Sequence, residues 1–300
     1  MANESTLPFG RMIPAMVTPF DEAGNVDVKQ AVALGRRLVE GGSDSLLVFG
    51  TTGEGPTVSP EDKLAVFEAM AADQKGGVPV IANVGTNCTA DSIAFARKAA
   101  QTGVDGLMAV VPFYNKPPQE GLYRHFRAIA EAVDLPIVMY NIPGRCGVNM
   151  TAETTLRLAR DCENIAAVKE ASGDLDQIAR ICDGAPEGFA VYSGDDSLTY
   201  EVMKRGGAGV ISTTGNCAPA EMKKIVDNAA AGRWDEARAA HEAILPLMKG
   251  LFATANPILV KQALNLQGFS VGGLRLPLVD ATFEQTEALA AIMREVGVLD

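Results

Sequence analysis

Eight short, nearly continuous apolar runs recur along the first two-thirds of this chain, and helical periodicity separates them. The runs fall at residues 13–20, 45–49, 78–84, 106–112, 136–141, 165–171, 189–193 and 208–212. Strands that are apolar along their whole length are buried on both faces, which is the signature of a parallel sheet covered by crossover helices. Helical patterns at 27–40, from 59 onward, and at 91–102, 119–132, 152–161, 175–182 and 197–205 supply those crossovers. Their ends carry the expected chemistry, with Gly41-Gly42 closing the first and Ser59-Pro60 opening the second as N-cap and first helical residue. Eight such units predict an α/β fold, a (β/α)8 TIM barrel. A doubly wound open sheet is the alternative, but the first strand-to-helix turn lacks G-x-G-x-x-G and no G-x-x-x-x-G-K-[ST] occurs. Beyond about residue 225 the strands cease, and helical patterns at 237–251, 257–267 and 283–296 predict a C-terminal helical extension. The expected division is a catalytic barrel over 1–225 and a helical domain over 226–300.

Barrels of this kind place chemistry where strands end. The sixth run stops at Lys169 and breaks into Ser172-Gly173-Asp174. Strand side chains alternate, so Ala167, Lys169 and Ala171 share a face, and the two alanines leave room beside the amine. A lysine desolvated there can fall from a pKa of about 10.4 toward about 7–8, the condition for Schiff-base chemistry on a carbonyl substrate. A lysine merely snorkelling from a strand end fits the same stretch. Other strand ends supply Thr51 and Thr52, Tyr114, Tyr140 and Arg145, and Ser193-Gly194-Asp195-Asp196. Each could serve packing, a turn or a helix cap. Together they combine an imine-forming amine, phenols and hydroxyls able to relay protons, and an arginine fork for a carboxylate.

Composition narrows the remaining classes. A net charge of −11, with no basic run to offset it, suits a phosphate backbone poorly, so nucleic-acid binding is not expected. The five cysteines are scattered without C-x-x-C spacing, and the two histidines, His125 and His241, sit in helical patterns. Disulfides, zinc sites and Ser-His-Asp hydrolysis therefore find little support, and no metal or cofactor is required. Residues 1–11 lack the basic start and apolar run of a secretory leader, and no stretch has the length of a membrane span. A cytosolic location is expected.

Gly50-Thr51-Thr52-Gly53-Glu54, Tyr114-Asn115-Lys116-Pro117, Tyr140-Asn141-Ile142-Pro143-Gly144-Arg145 and Val168-Lys169-Glu170-Ala171 together resemble the dihydrodipicolinate synthase / N-acetylneuraminate lyase family. The likeness runs from about Gly10 to Thr282 and includes Gly209-Val210-Ile211-Ser212, Asn256-Pro257 and Gly273-Leu274-Arg275-Leu276-Pro277. It implies a lyase with a class I aldolase-like mechanism. Lys169 would form the Schiff base with pyruvate, and Tyr140 would give and take the proton. Thr52 would hold the pyruvate carboxylate, with Thr51 and a Tyr114 from a neighbouring subunit completing the relay. The backbone carbonyls of Gly194 and Ile211 would line the pocket.

Within the family, the resemblance implies that Arg145 holds the carboxylate of L-aspartate 4-semialdehyde. The expected reaction is then the synthase one, in lysine biosynthesis through diaminopimelate. Cys146 departs from the threonine commoner in synthases. Aldolases for sialic or 2-keto-3-deoxy sugar acids, and a non-catalytic barrel, are the rival readings. Lysine-inhibited synthases carry a serine and a histidine where this chain has Gly55 and Lys63, so weak or absent feedback inhibition is expected. A homotetramer built from dimers is the implied assembly.

Overall fold

The computed structural model describes residues 7–300. Part of the segment read for a leader, residues 1–6, lies outside them. The strands are β1 (Met12–Pro14), β2 (Leu46–Val48), β3 (Val80–Asn83), β4 (Gly106–Val110), β5 (Ile137–Asn141), β6 (Ile165–Glu170), β7 (Ala190–Ser193) and β8 (Gly209–Ser212). They pair in parallel in the order β1-β8-β7-β6-β5-β4-β3-β2. One bridge, Ala15 to Leu47, closes the ring, with Met16 N donating to Leu47 O at 2.8 Å. The expected eight-stranded parallel barrel is what forms.

Helices α1 (Val28–Glu40), α2 (Pro60–Asp73), α3 (Thr89–Ala99), α4 (Gln119–Ala130), the single turn α5 (Pro143–Cys146), α6 (Ala152–Asp161), α7 (Leu175–Gly184), α8 (Thr199–Lys204) and α9 (Pro219–Ala230) follow the strands. The extension adds α10 (Trp234–Gly250), α11 (Ile258–Leu266) and α12 (Phe283–Glu295). The caps follow the sequence chemistry: Ser59 accepts from Asp62 N, Asp27 from Gln30 N, and Thr282 and Gln285 form a capping box. Each such cap contributes about 1 kcal/mol. The helix after the eighth strand, which the periodicity left without bounds, is α9, and the expected 225/226 boundary falls inside it. Strand β1 is shorter than its apolar run because Val17 N turns to Asn216 Oδ1 and Pro19 has no N–H to give a ladder.

Alternation along the strands builds two apolar layers. Outward residues such as Val48, Leu107 and Val168 pack under the helices, while Ile13, Leu47, Ile81, Val138, Ala167 and Ile211 fill the barrel. Each fully buried aliphatic side chain is worth about 1.5–3 kcal/mol, which is why both faces of these strands are apolar. Phe9 plugs the lower end against Gly106, where a Cβ would sit 2.4 Å from its ring. Tyr192 stands above it, and its buried hydroxyl donates to Gly10 O at 2.8 Å. The upper end is left for polar residues.

Candidate active site

Register decides which side chains meet. On β5, β6 and β7, Tyr140, Lys169 and Tyr192 are direct neighbours, and Lys169 follows Ala167 on the inward face. The Lys169 amine lies 4.5 Å from the centroid of the Tyr140 ring and has no hydrogen-bond partner among the described residues. Burial pushes its pKa down to about 8, against the pull of the Asp196 carboxylate and with help from Arg145. About a tenth of the amine is then neutral at pH 7, against roughly one part in two thousand for a free lysine. Burial drives the Tyr140 phenol the other way, up to about 12, with the Thr51 side chain and Arg145 opposing. The pair thus sets an amine that is partly neutral at pH 7 against a phenol that keeps its proton.

Gly194 makes room for this pair. A Cβ there would meet Ala171 Cβ at 2.6 Å and Lys169 Cε at 3.2 Å. Ile211 lies on β8 inside the barrel, in register with Ile13.

Beside Tyr140 opens a cavity of about 310 Å³, lined among others by Thr51, Lys63, Asn83, Tyr140, Arg145 and Cys146, with Lys169 buried behind Tyr140 rather than in its wall. No carboxylate lines it, and its two charged groups are cations. Arg145, on α5, is exposed and bound to no carboxylate. Thr52 is buried beside the cavity, accepting from Asn256 Nδ2 at 2.9 Å and facing Thr213 Oγ1 at 3.4 Å. The Tyr114 backbone joins the same rim, its N donating to Cys146 O at 3.4 Å, but its side chain is 88% exposed, at φ 72°. The strand ends thus bring Lys169, Tyr140, Thr51, Thr52, Gly194 and Arg145 to one end of the barrel, whereas the Tyr114 side chain lines no part of the cavity.

Four non-glycine residues among those described have left-handed backbone, and all flank this mouth. Phe49 and Glu54 bracket the Gly50–Gly53 turn, and Tyr114 and Lys116 follow β4. Such residues cost about 1–3 kcal/mol each and persist where surrounding contacts impose them.

The chain matches the model of the Dihydrodipicolinate synthetase family over residues 8–296. It belongs to that family. It is 54% identical to 4-hydroxy-tetrahydrodipicolinate synthase of Symbiobacterium thermophilum, over 97% of this chain and 99% of that one. It is 47% identical to the enzyme of the same name from Bacillus subtilis, over 96% and 99%. The structure of the Cyanidioschyzon merolae synthase with lysine bound superposes with a TM-score of 0.96, at 44% identity, covering 98% of this chain and all of that one.

Around these residues stand supports that the strand ends did not reveal. Asn83 ends β3, lines the cavity and gives Nδ2 to Phe49 O at 2.9 Å, while its Oδ1 is buried without a partner. The rule applied to the other strand ends would have found it. Behind the pair, Glu170 on β6 accepts from Asn141 Nδ2 (3.0 Å), Ser172 N (2.8 Å) and Gln177 Nε2 (3.3 Å). Burial raises its pKa and these bonds hold it down. They pin β5 to β6 one step beyond Tyr140 and Lys169. On the far side, Asp196 Oδ2 accepts from Thr213 N and Thr214 N at 3.0 and 2.7 Å, fixing the turn after β8.

Proposed function

We propose that this chain condenses pyruvate with L-aspartate 4-semialdehyde to 4-hydroxy-tetrahydrodipicolinate, in lysine biosynthesis through diaminopimelate. The observation that carries the reading is the buried Lys169 amine stacked on a protonated Tyr140, which itself lines a cavity whose charged groups are both cationic. The names its relatives bear point to the same reaction.

Neutral Lys169 adds to the pyruvate C2 carbonyl, and loss of water gives the imine. Tyr140 delivers the proton that leaves with the hydroxyl, and Thr51 passes protons to and from it. Thr52 holds the carboxylate. Loss of a methyl proton yields the enamine, whose C3 attacks the aldehyde carbon of the semialdehyde. The amine of the bound semialdehyde then attacks C2, closes the ring and releases Lys169. Gly194 and Ile211 present backbone carbonyls to the pocket. The chemistry needs no metal and no cofactor.

Arg145 receives the semialdehyde carboxylate. Charge-assisted hydrogen bonds are worth about 1.5–3 kcal/mol, so Arg145→Ala should raise KM for the semialdehyde by about 10- to 100-fold and leave KM for pyruvate nearly unchanged. Equal effects on both would remove Arg145 from this role. Tyr114, exposed beside Phe113 on a left-handed loop, supports a site completed by a neighbouring subunit in a homotetramer. A cytoplasmic location fits these small substrates, and no helix among the described residues is long and apolar enough to cross a membrane.

Turnover of pyruvate with the semialdehyde, coupled to reduction of the cyclic product, tests the whole reading; preference for a longer sugar acid would replace it. Feedback by lysine should be weak. Lys63 lies in the cavity wall, half-buried with its amine 5.6 Å from the Phe95 ring, and would repel a second cation. Millimolar lysine should change the rate by less than about twofold, since this repulsion is not offset. Inhibition at sub-millimolar lysine would contradict it.

A further inference from the structure

We infer that Asn256, in the C-terminal extension, is a positioning residue that sets the direction in which the Thr52 hydroxyl donates. The inference rests on the reading in which Thr52 receives the pyruvate carboxylate.

A threonine hydroxyl has one proton and two acceptor sites. Asn256 Nδ2 occupies one acceptor site at 2.9 Å, and both residues are buried. The remaining protein partner, Thr213 Oγ1, stands at 3.4 Å, a long contact that competes weakly for the proton. Thr52 is therefore an oxygen already satisfied as an acceptor, with its proton left to a ligand. A carboxylate, which only accepts, is the group that uses it. Were the carbonyl of Asn256 turned toward Thr52, that proton would be consumed inside the protein.

The segment that carries Asn256 is itself held firmly. Five residues on, buried Lys261 donates to Thr18 O at 2.9 Å and Glu54 Oε1 at 3.0 Å, and also to Gly273 O. Thr18 Oγ1 donates to Gly53 O at 2.6 Å, and Arg275 N donates to Glu54 Oε2 at 3.0 Å. The same C-terminal segment thus grips the Thr51-Thr52 turn at its hydroxyl and at its far end. Gly53 has no slack, because a Cβ there would meet Phe49 Cα at 2.8 Å.

Asn256→Asp is nearly isosteric but only accepts, so it should take the Thr52 proton. The expected result is a rise of about tenfold or more in KM for pyruvate, with much smaller changes in kcat and in KM for the semialdehyde. Added charge alone could also repel pyruvate, so the substitution is repeated in Thr52→Val. There its penalty should shrink several-fold. Asn256→Ala in the same two backgrounds gives a neutral pair, expected to raise KM for pyruvate about threefold beside Thr52 and not at all beside valine. An unchanged KM in Asn256→Asp, or penalties equal in both backgrounds, would overturn the inference. Borohydride trapping of pyruvate on the unaltered protein separates the two levels: no adduct overturns the Schiff-base reading as well, whereas an adduct without coupling overturns this inference alone.

Discussion

Lys169→Ala should form no borohydride-trappable adduct with pyruvate and lose activity by about 10³-fold or more, because the atom that makes the covalent bond is gone. The unaltered protein should show the complementary pH dependence. With the amine titrating at about 8, the rate of adduct formation should fall about tenfold per pH unit below that value and level off above it. Loss of fold would not explain the variant. The folded pKa lies below the ordinary lysine value, so the folded state pays to hold this cation at pH 7. That cost is full below about 8 and disappears as pH rises past the unfolded value near 10.5. Lys169→Met should therefore melt no lower than the parent at pH 7, and its advantage should vanish in strong alkali. Full trapping in either variant would move the chemistry to another group.

Lys261→Met should be the most damaging substitution far from the lysine. Lys261 and Glu54 pair at 3.0 Å with 1% of each side chain exposed. Removing the cation leaves a carboxylate buried without its partner, together with the carbonyls of Thr18 and Gly273. Breaking such a pair costs about 3–5 kcal/mol, which at this size lowers the melting temperature by roughly 5–15 °C. Replacing both members, Glu54→Gln with Lys261→Met, should recover part of the loss, since the stranded charge is then absent. A single variant as stable as the parent would show that Glu54 takes up a proton or finds water instead. Melting curves of the three variants decide it.

The barrel was legible because its strands are buried on both faces, and uninterrupted apolar runs separated by capped helices have few other uses. Lys169 was legible in part: an amine between two alanines at the end of such a run could face the mouth or snorkel outward, and only the polar groups at the other strand ends favoured the mouth. The register that seats Tyr140 against Lys169 was not, since an apolar run carries no mark of which residue lies opposite it. Nor was the shortening of β1, set by Asn216 from the other end of the barrel. Resemblance to the family supplied the roles of Tyr140, Thr52 and Arg145, and geometry then showed Tyr114 standing outside its own cavity. Asn256 was noticed as part of a motif without a task. Its partner lies 204 residues earlier, beyond any local pattern.

That separation orders events in time. Thr52 and Glu54 meet Asn256, Lys261 and Arg275 across 204, 207 and 221 residues. At about 5–20 residues per second on the ribosome, the turn waits roughly 10–40 seconds for its clamp. By then every barrel strand and Lys169 have been made. A growing chain thus carries Lys169 well before its Thr51-Thr52 turn can be clamped, and the finished turn arrives only with the last sixth of the polypeptide.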